Sequence, residues 1–73
     1  MPSLPVLSGK AACKILADHG FNQVRQRGSH IIMQKSLPGT TITVPVPNHK
    51  ELKTGTLRSI IRQSGLAVED FTA

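Results

Sequence analysis

The sequence predicts an α+β fold in the order helix, three antiparallel strands, helix. Two observations support this class: apolar residues recur at helical spacing near both ends of the chain, and they alternate with polar residues in the middle. Glycine and proline separate these segments at positions typical of turns. We expect both helices to cover one face of a small three-stranded sheet and the other face to stay open.

The first helix is predicted at about residues 9–19. Ser8 is a suitable N-cap, and Ala12 and Leu16 are spaced so that they share one helix face. Gly20 follows and supplies the left-handed conformation that ends many helices.

Three strands are predicted in the middle of the chain, at residues 21–27, 30–35 and 40–46. Gly28-Ser29 and Pro38-Gly39 lie between them and mark the two chain reversals. The middle of the chain therefore forms a three-stranded antiparallel sheet.

Alternation assigns the faces of the second strand. If Ile31 and Met33 face the core, then His30, Ile32 and Gln34 point to the open face. His30 is then accessible to a ligand.

The third strand alternates as regularly. Ile42, Val44 and Val46 share one face, and Pro45 lies on the other. Because proline cannot donate a backbone hydrogen bond, we expect this strand to run along an edge of the sheet.

A second helix follows the loop at residues 47–49. Thr54 is its predicted N-cap, Leu57 and Ile60 belong to its buried stripe, and Gly65 is its stop. The segment after Gly65 is expected to form no more than a short third helix. The complete order matches that of double-stranded-RNA-binding domains, which recognise shape and backbone.

Composition limits the classes of function. A chain of 73 residues is expected to be one domain, residues 1–73. Nine Lys and Arg against four Asp and Glu give a net charge of +5, which favours a polyanionic partner. Since Phe21 and Phe71 are the only aromatic residues, the stacking platforms of RRM and OB-fold proteins are missing, and recognition of a nucleic-acid backbone is the better expectation.

Location is predicted from the N-terminal segment and from cysteine usage. Residues 1–7 contain neither a basic leader nor a long apolar run, so no secretory signal is indicated. Cys13 is the single cysteine, whereas small secreted domains usually contain pairs. We expect a cytoplasmic protein with no disulfide partner and no membrane association.

The segment from Arg25 to His30 is the main candidate for chemistry. It places an imidazole at the start of a strand, beside a tight turn and among cations. Histidine suits proton transfer near neutral pH, and Gly28 permits a close approach of the backbone to a phosphate. Arg25, Arg27 and Lys35 are candidates to stabilise negative charge, and the start of the second helix near residues 55–56 is a candidate phosphate site.

The residues alone leave the role of each histidine open. His30 is either a turn residue or a proton-transfer group. His19 has the position of a histidine that interacts with a helix dipole, and His49 either supplies a second proton-transfer group or shapes the loop before the helix.

Other kinds of site are not supported. Three dispersed histidines and one distant cysteine lack zinc-ligand spacing, and the chain has no glycine-rich phosphate loop. Ser29 and His30 have no nearby carboxylate to complete a triad. No metal and no cofactor are therefore expected.

The chain resembles the HicA family of mRNA interferase toxins. The resemblance extends from about Leu7 to Leu66, and its motifs are specific in combination and order. They are Ser8-Gly9-Lys10, Gly20-Phe21, Val24-Arg25-Gln26-Arg27-Gly28-Ser29-His30, Val44-Pro45, Asn48-His49-Lys50-Glu51-Leu52-Lys53 and Gly55-Thr56-Leu57-Arg58-Ser59-Ile60.

This resemblance implies a metal-independent endoribonuclease, the toxin of a type II toxin-antitoxin system. It implies that His30 is the catalytic residue, that mRNA is the substrate, and that a HicB-type antitoxin neutralises the toxin by covering the site. The RNA-binding or supporting residues expected around His30 are Arg25, Arg27, Gly28, Ser29, Lys35, His49, Lys53 and Arg58.

Two other functions are compatible with the sequence. A noncatalytic RNA-binding module of the same fold would have the same charge and surface. A DNA-recognition role for the basic second helix is less well supported, because no preceding helix stands at helix-turn-helix spacing.

Overall fold

The structure is a computed structural model that describes residues 4–72. Residues 1–3, which belong to the segment considered above for a leader, and Ala73 lie outside the described residues. The elements follow in the order α1 (Gly9–Asp18), β1 (Asn22–Arg27), β2 (His30–Leu37), β3 (Thr40–Pro47), α2 (Thr54–Ser64) and a 3₁₀ turn (Val68–Phe71). The predicted α+β order of a double-stranded-RNA-binding-domain-like fold is confirmed.

Helix α1 begins at the predicted residue and ends one residue earlier than predicted, at Asp18, with His19 as its C-cap. The Ser8 side chain accepts a hydrogen bond from the backbone N–H of Ala11, which satisfies one of the free donors of the first turn. The helix is followed by Gly20 at a φ of 94°. Ala12 and Leu16 are fully buried and face the sheet.

The sheet has the strand order β1-β2-β3, and both strand pairs are antiparallel. Strand β3 is therefore an edge strand, as Pro45 predicts. The pairing of β1 with β2 contains a bulge, because Gln23 lies opposite Met33 whereas Arg25 lies opposite Ile32. Val24 is the extra residue on β1, and it reverses the alternation of that strand.

Both helices lie on one face of the sheet and enclose the core. Helix α2 packs on β3, and α1 contacts all three strands. The buried apolar residues are Ala12, Leu16, Phe21, Ile31, Met33, Val44, Val46, Leu52, Leu57, Ile60, Ile61 and Phe71. Among them is a residue of the 3₁₀ turn, Phe71, which is only 1% exposed. The short segment after α2 therefore contributes a large side chain to the core.

The start of α2 differs from the prediction. Thr54 is the first helical residue rather than the N-cap, and Lys53 occupies the cap position without a side-chain cap bond. Lys53 has an extended backbone, with φ −66° and ψ 148°, so the chain enters the helix one residue earlier than expected. The first-turn N–H groups of α2 consequently have no side-chain cap from this position.

Both α-helices are short, with 10 residues in α1 and 11 in α2. Within residues 4–72, neither α1 nor α2 is a long apolar segment of the kind that spanning a bilayer requires.

Candidate active site

His30 is the first residue of β2 and follows the tight turn at Gly28-Ser29. Gly28 has a φ of 58°, a conformation that glycine adopts at little cost. Ile31 is 5% exposed and faces the core, so alternation directs the exposed His30 side chain to the open face. This orientation is the one that the sequence predicts.

Cations flank His30 on the neighbouring strand. Arg27 pairs directly with His30, and Arg25 pairs with Ile32. Residues directly opposite each other in an antiparallel pair share a face, so both exposed arginines lie on the open face with His30. The bulge at Val24 is responsible, because uninterrupted alternation from Gln23 would direct Arg25 to the core side.

The His30 side chain borders a shallow depression of about 420 Å³. Its other lining residues are Arg27, Ile32 and Pro45. Among residues 4–72, no carboxylate lines it, so a phosphodiester placed there meets an imidazole and a guanidinium without a repelling charge. We refer to this surface as the His30 depression.

Backbone hydrogen bonds connect the turn before His30 to the loop after β3, and connect that loop to the start of α1. The backbone N–H of Asn48 donates to the carbonyl of Ser29 at 2.6 Å, and the N–H of Gly9 donates to the carbonyl of His49 at 2.8 Å. A Cβ atom on Gly9 would collide with the backbone oxygen of Pro47, so only glycine allows α1 to approach this loop. The start of α1, the end of β3 and the Gly28-Ser29 turn are therefore fastened together.

His49 lies in this fastened loop. Its side chain is exposed and borders a second, smaller depression of about 200 Å³, which Lys10 and Lys50 also line. The backbone bond between Asn48 and Ser29 brings the loop to the same end of the sheet as His30. A second imidazole and two ammonium groups thus lie at this end.

Three other predicted residues have different surroundings. Lys35 lies on the helix-covered face of β2, with its ammonium 5.9 Å from the centre of the Phe21 ring, and the structure does not bring it together with His30. Lys53 is exposed at the N-cap of α2. Arg58 is exposed on α2, on the side that faces away from the sheet.

The surroundings of His19 and Cys13 fit structural roles and not catalytic ones. His19 lies at the C-cap of α1, where its Nδ1 is 2.9 Å from the carbonyl oxygen of Ile15 and its Nε2 is 3.5 Å from Asp70. Burial raises the pKa of the Cys13 thiol, which disfavours the thiolate that nucleophilic catalysis needs. Residues 4–72 contain no group of three or more His, Cys, Asp or Glu side chains arranged to hold a metal ion.

A comparison with protein families identifies the chain. The model of the HicA toxins of bacterial toxin-antitoxin systems matches residues 9–66. The chain belongs to this family. A search of curated proteins found no match. Membership in the HicA family makes the chain a toxin of a toxin-antitoxin system and implies an antitoxin as its partner.

Within the matched residues, local sequence patterns indicate His30 and its arginines but not the groups that position them. Gly9 and Asn48 make the backbone hydrogen bonds described above, and the Gln26 amide donates to the carbonyl of Gly28 at 3.2 Å. All three lie within the motifs that resemble the HicA family. Their positioning roles come from the tertiary fold, which local spacing does not describe.

Proposed function

We propose that this HicA-family toxin is a metal-independent endoribonuclease that cleaves mRNA, with His30 as its catalytic residue. The observation that carries the proposal is the exposure of His30 in a depression with Arg27 beside it and no carboxylate among the lining residues. Free toxin would cut mRNA and thereby arrest growth.

The chemistry follows from what RNA itself supplies. The 2′-hydroxyl of one nucleotide attacks the adjacent phosphorus, and His30 in its neutral form accepts the hydroxyl proton. The bond from phosphorus to the 5′-oxygen of the next nucleotide breaks, and that oxygen takes a proton from an acid. The products are a 2′,3′-cyclic phosphate and a 5′-hydroxyl end, with no oxidant, metal or water consumed in the step.

Arg27 is the proposed stabiliser of the pentacoordinate transition state. It lies opposite His30 across the β1–β2 pair, and a guanidinium can bind two phosphate oxygens at once. Preorganised positive charge of this kind is worth most where charge develops during the reaction. Arg25 lies further along the same strand and would bind a neighbouring phosphate.

Other backbone phosphates would bind at the start of α2, where the loop after β3 ends. The first turn of α2 has N–H donors without a side-chain cap from Lys53, and such a helix start attracts anions. Lys53 and Arg58 add exposed positive charge on this helix. His49 is the proposed source of the second proton transfer, because it lies at the same end of the sheet as His30.

The proposed antitoxin is of the HicB type and covers the His30 depression. A surface that contains Arg25 and Arg27 would attract an acidic partner, which accelerates association at low salt. An association rate that does not change with ionic strength would contradict this part of the proposal.

The decisive experiment follows cleavage of a defined mRNA in EDTA by the purified protein and by His30→Ala, with RNA binding of both measured in parallel. We expect cleavage by the native chain, a loss of about 100-fold or more in His30→Ala, and retained binding. His19→Ala is the matched histidine control, since His19 lies at the other end of α1, and it should keep full cleavage.

Two results would overturn the proposal. Cleavage that disappears in EDTA and returns with a divalent cation would exclude the metal-independent reaction. Binding without cleavage by the native chain would favour the noncatalytic RNA-binding module, which has the same cationic face.

A further inference from the structure

The sheet is not fully covered on its helix side, and a groove remains between α1 and β1. Every residue of β1 is exposed, although Gln23 and Gln26 pair with the buried residues Met33 and Ile31. Residues paired in this way share a face, so both amides lie on the helix side of the sheet. The groove has a volume of about 450 Å³.

The bulge at Val24 is what places two amides in the groove. Gln23 and Gln26 are three residues apart, and uninterrupted alternation would send them to opposite faces. The extra residue on β1 corrects this, so that both point to the groove while Arg25 and Arg27 point to the open face. The bulge at Val24 thus determines which side chains of β1 lie on each face of the sheet.

The groove has walls of different chemistry. Its floor is apolar and includes Ile31 and Met33. One wall is β1 with its amides, and the other is α1, where Lys10 and Lys14 stand one turn apart. No carboxylate is among the lining residues. An occupant should therefore be flat or small, partly apolar, rich in hydrogen-bonding groups and attached to negative charge.

The groove adjoins the turn that carries His30. The Gln26 amide donates to the carbonyl of Gly28 at 3.2 Å, and Asn48, which lines the groove, donates its backbone N–H to Ser29. A single RNA strand that passes around this turn would touch the His30 depression on one face and the groove on the other.

We propose that this groove binds a base of the RNA close to the cleaved bond and so sets the cleavage preference. The inference rests on the proposed function. The volume lies within the roughly 300–1,000 Å³ of small-molecule sites, which combine an apolar lining with a few placed polar groups. Sequence-specific readers of RNA take unstacked bases and bind their edges through hydrogen bonds, and an amide side chain offers a donor and an acceptor together.

The assigned roles are specific. Gln23 forms hydrogen bonds with the edge of the base. Gln26 does the same, and its hydrogen bond to the carbonyl of Gly28 fixes the orientation of its amide. Lys10 and Lys14 bind the flanking phosphates. A helix of a protein partner fits this groove less well, because both walls present polar or charged groups to it.

The test uses the His30→Ala protein, which is expected to bind RNA without cutting it, titrated with four ribohexanucleotides that each contain one base type. Side-chain amide signals of Gln23 and Gln26 are followed by NMR. We expect these signals to shift, and one base to bind at least about fivefold more tightly than the weakest, the lower range for one amide–base pair. Gln23→Ala should remove this preference, and Gln63→Ala, on the exposed side of α2, should keep it.

The proposal is overturned if the amide signals do not move, if all four sequences bind equally, or if Gln63→Ala changes the preference as much as Gln23→Ala. Amide shifts that appear with an antitoxin but not with RNA also overturn it and assign the groove to a protein interface. If the native protein does not cleave RNA, the proposed function fails, but this titration still tests whether the groove binds a base.

Discussion

The two faces of the sheet differ in what they contribute. On the covered face, Met33, Val44 and Val46 are at most 2% exposed and pack beneath the helices. On the open face, His30 and the two arginines beside it are exposed. Since burial of apolar surface is the main favourable term in folding, the covered face supplies the stability. The open face is consequently free to hold groups chosen for chemistry.

The largest loss of stability is expected when a large side chain is removed from the covered side. Phe71→Ala should lower the free energy of unfolding by about 3–5 kcal/mol, a large part of the stability of a domain this size. Urea denaturation measures it. Val24→Ala, at the exposed bulge, should change the free energy by less than about 0.5 kcal/mol. Equal effects would mean that the segment after α2 does not belong to the core.

A matched pair of glycines tests how the open-face site is fastened. Gly9→Ala forces a methyl group against the Pro47 backbone and should cost about 1–3 kcal/mol of stability. Cleavage should fall with it, since the loop that supports Ser29 must move. Gly55→Ala meets no atom within 4 Å in a helical position, and it should stabilise the fold by about 0.5–1 kcal/mol. Thermal unfolding of both variants would decide, and a tolerated Gly9→Ala would contradict the close approach of α1 to the loop.

Charge on the open face should affect RNA binding and not folding. Arg27→Ala should weaken RNA binding and reduce the slope of log affinity against log salt by about 0.7 for each phosphate that the variant no longer neutralises. Binding titrations at several salt concentrations measure the slope. Arg62→Ala, on α2, serves as the control with the same change in net charge. An identical change of slope in both variants would indicate diffuse attraction instead of a phosphate site on the open face.

The smallest effect is expected for the contact between His19 and Asp70, which is an ion pair only when the imidazole is protonated. The two side chains are each 35% exposed and 3.5 Å apart, and exposed pairs of this kind contribute less than about 1 kcal/mol. His19→Asn should therefore lower stability only slightly, with a smaller effect at high salt. A decrease above about 2 kcal/mol in urea denaturation, beyond the range for exposed pairs, would show that polar interactions, and not only the apolar core, hold the 3₁₀ turn.

Much of the fold could be predicted because hydrophobic periodicity and the residues that end helices and form turns are local signals. The alternation in β2 and β3 assigns Met33 to the core and His30 to the open face, and the structure confirms both. Gly20 and Gly65 mark the helix ends where the structure has them. Each of these features depends on a few neighbouring residues.

What the sequence did not predict depends on interactions between distant segments or on a break in the pattern. The bulge at Val24 shifts the faces of β1, and this strand has no buried residue whose period could reveal it. The burial of Phe71 has no periodic signal in the sequence, because a 3₁₀ turn of four residues is too short to show one. His30 and Lys35 are separated by an odd number of positions, so alternation along β2 is enough to predict that they lie on opposite faces.

If the open face performs chemistry without supporting the fold, His30→Gln should reduce cleavage and leave stability unchanged. The amide of the introduced glutamine can still donate and accept hydrogen bonds, but it cannot serve as a general base. Cleavage in EDTA and urea denaturation are measured on the same preparation. We predict a decrease in cleavage of about 100-fold or more with a free energy of unfolding changed by less than about 0.5 kcal/mol. Cleavage retained within a few-fold, or abolished only together with stability, would contradict this division of roles between the two faces.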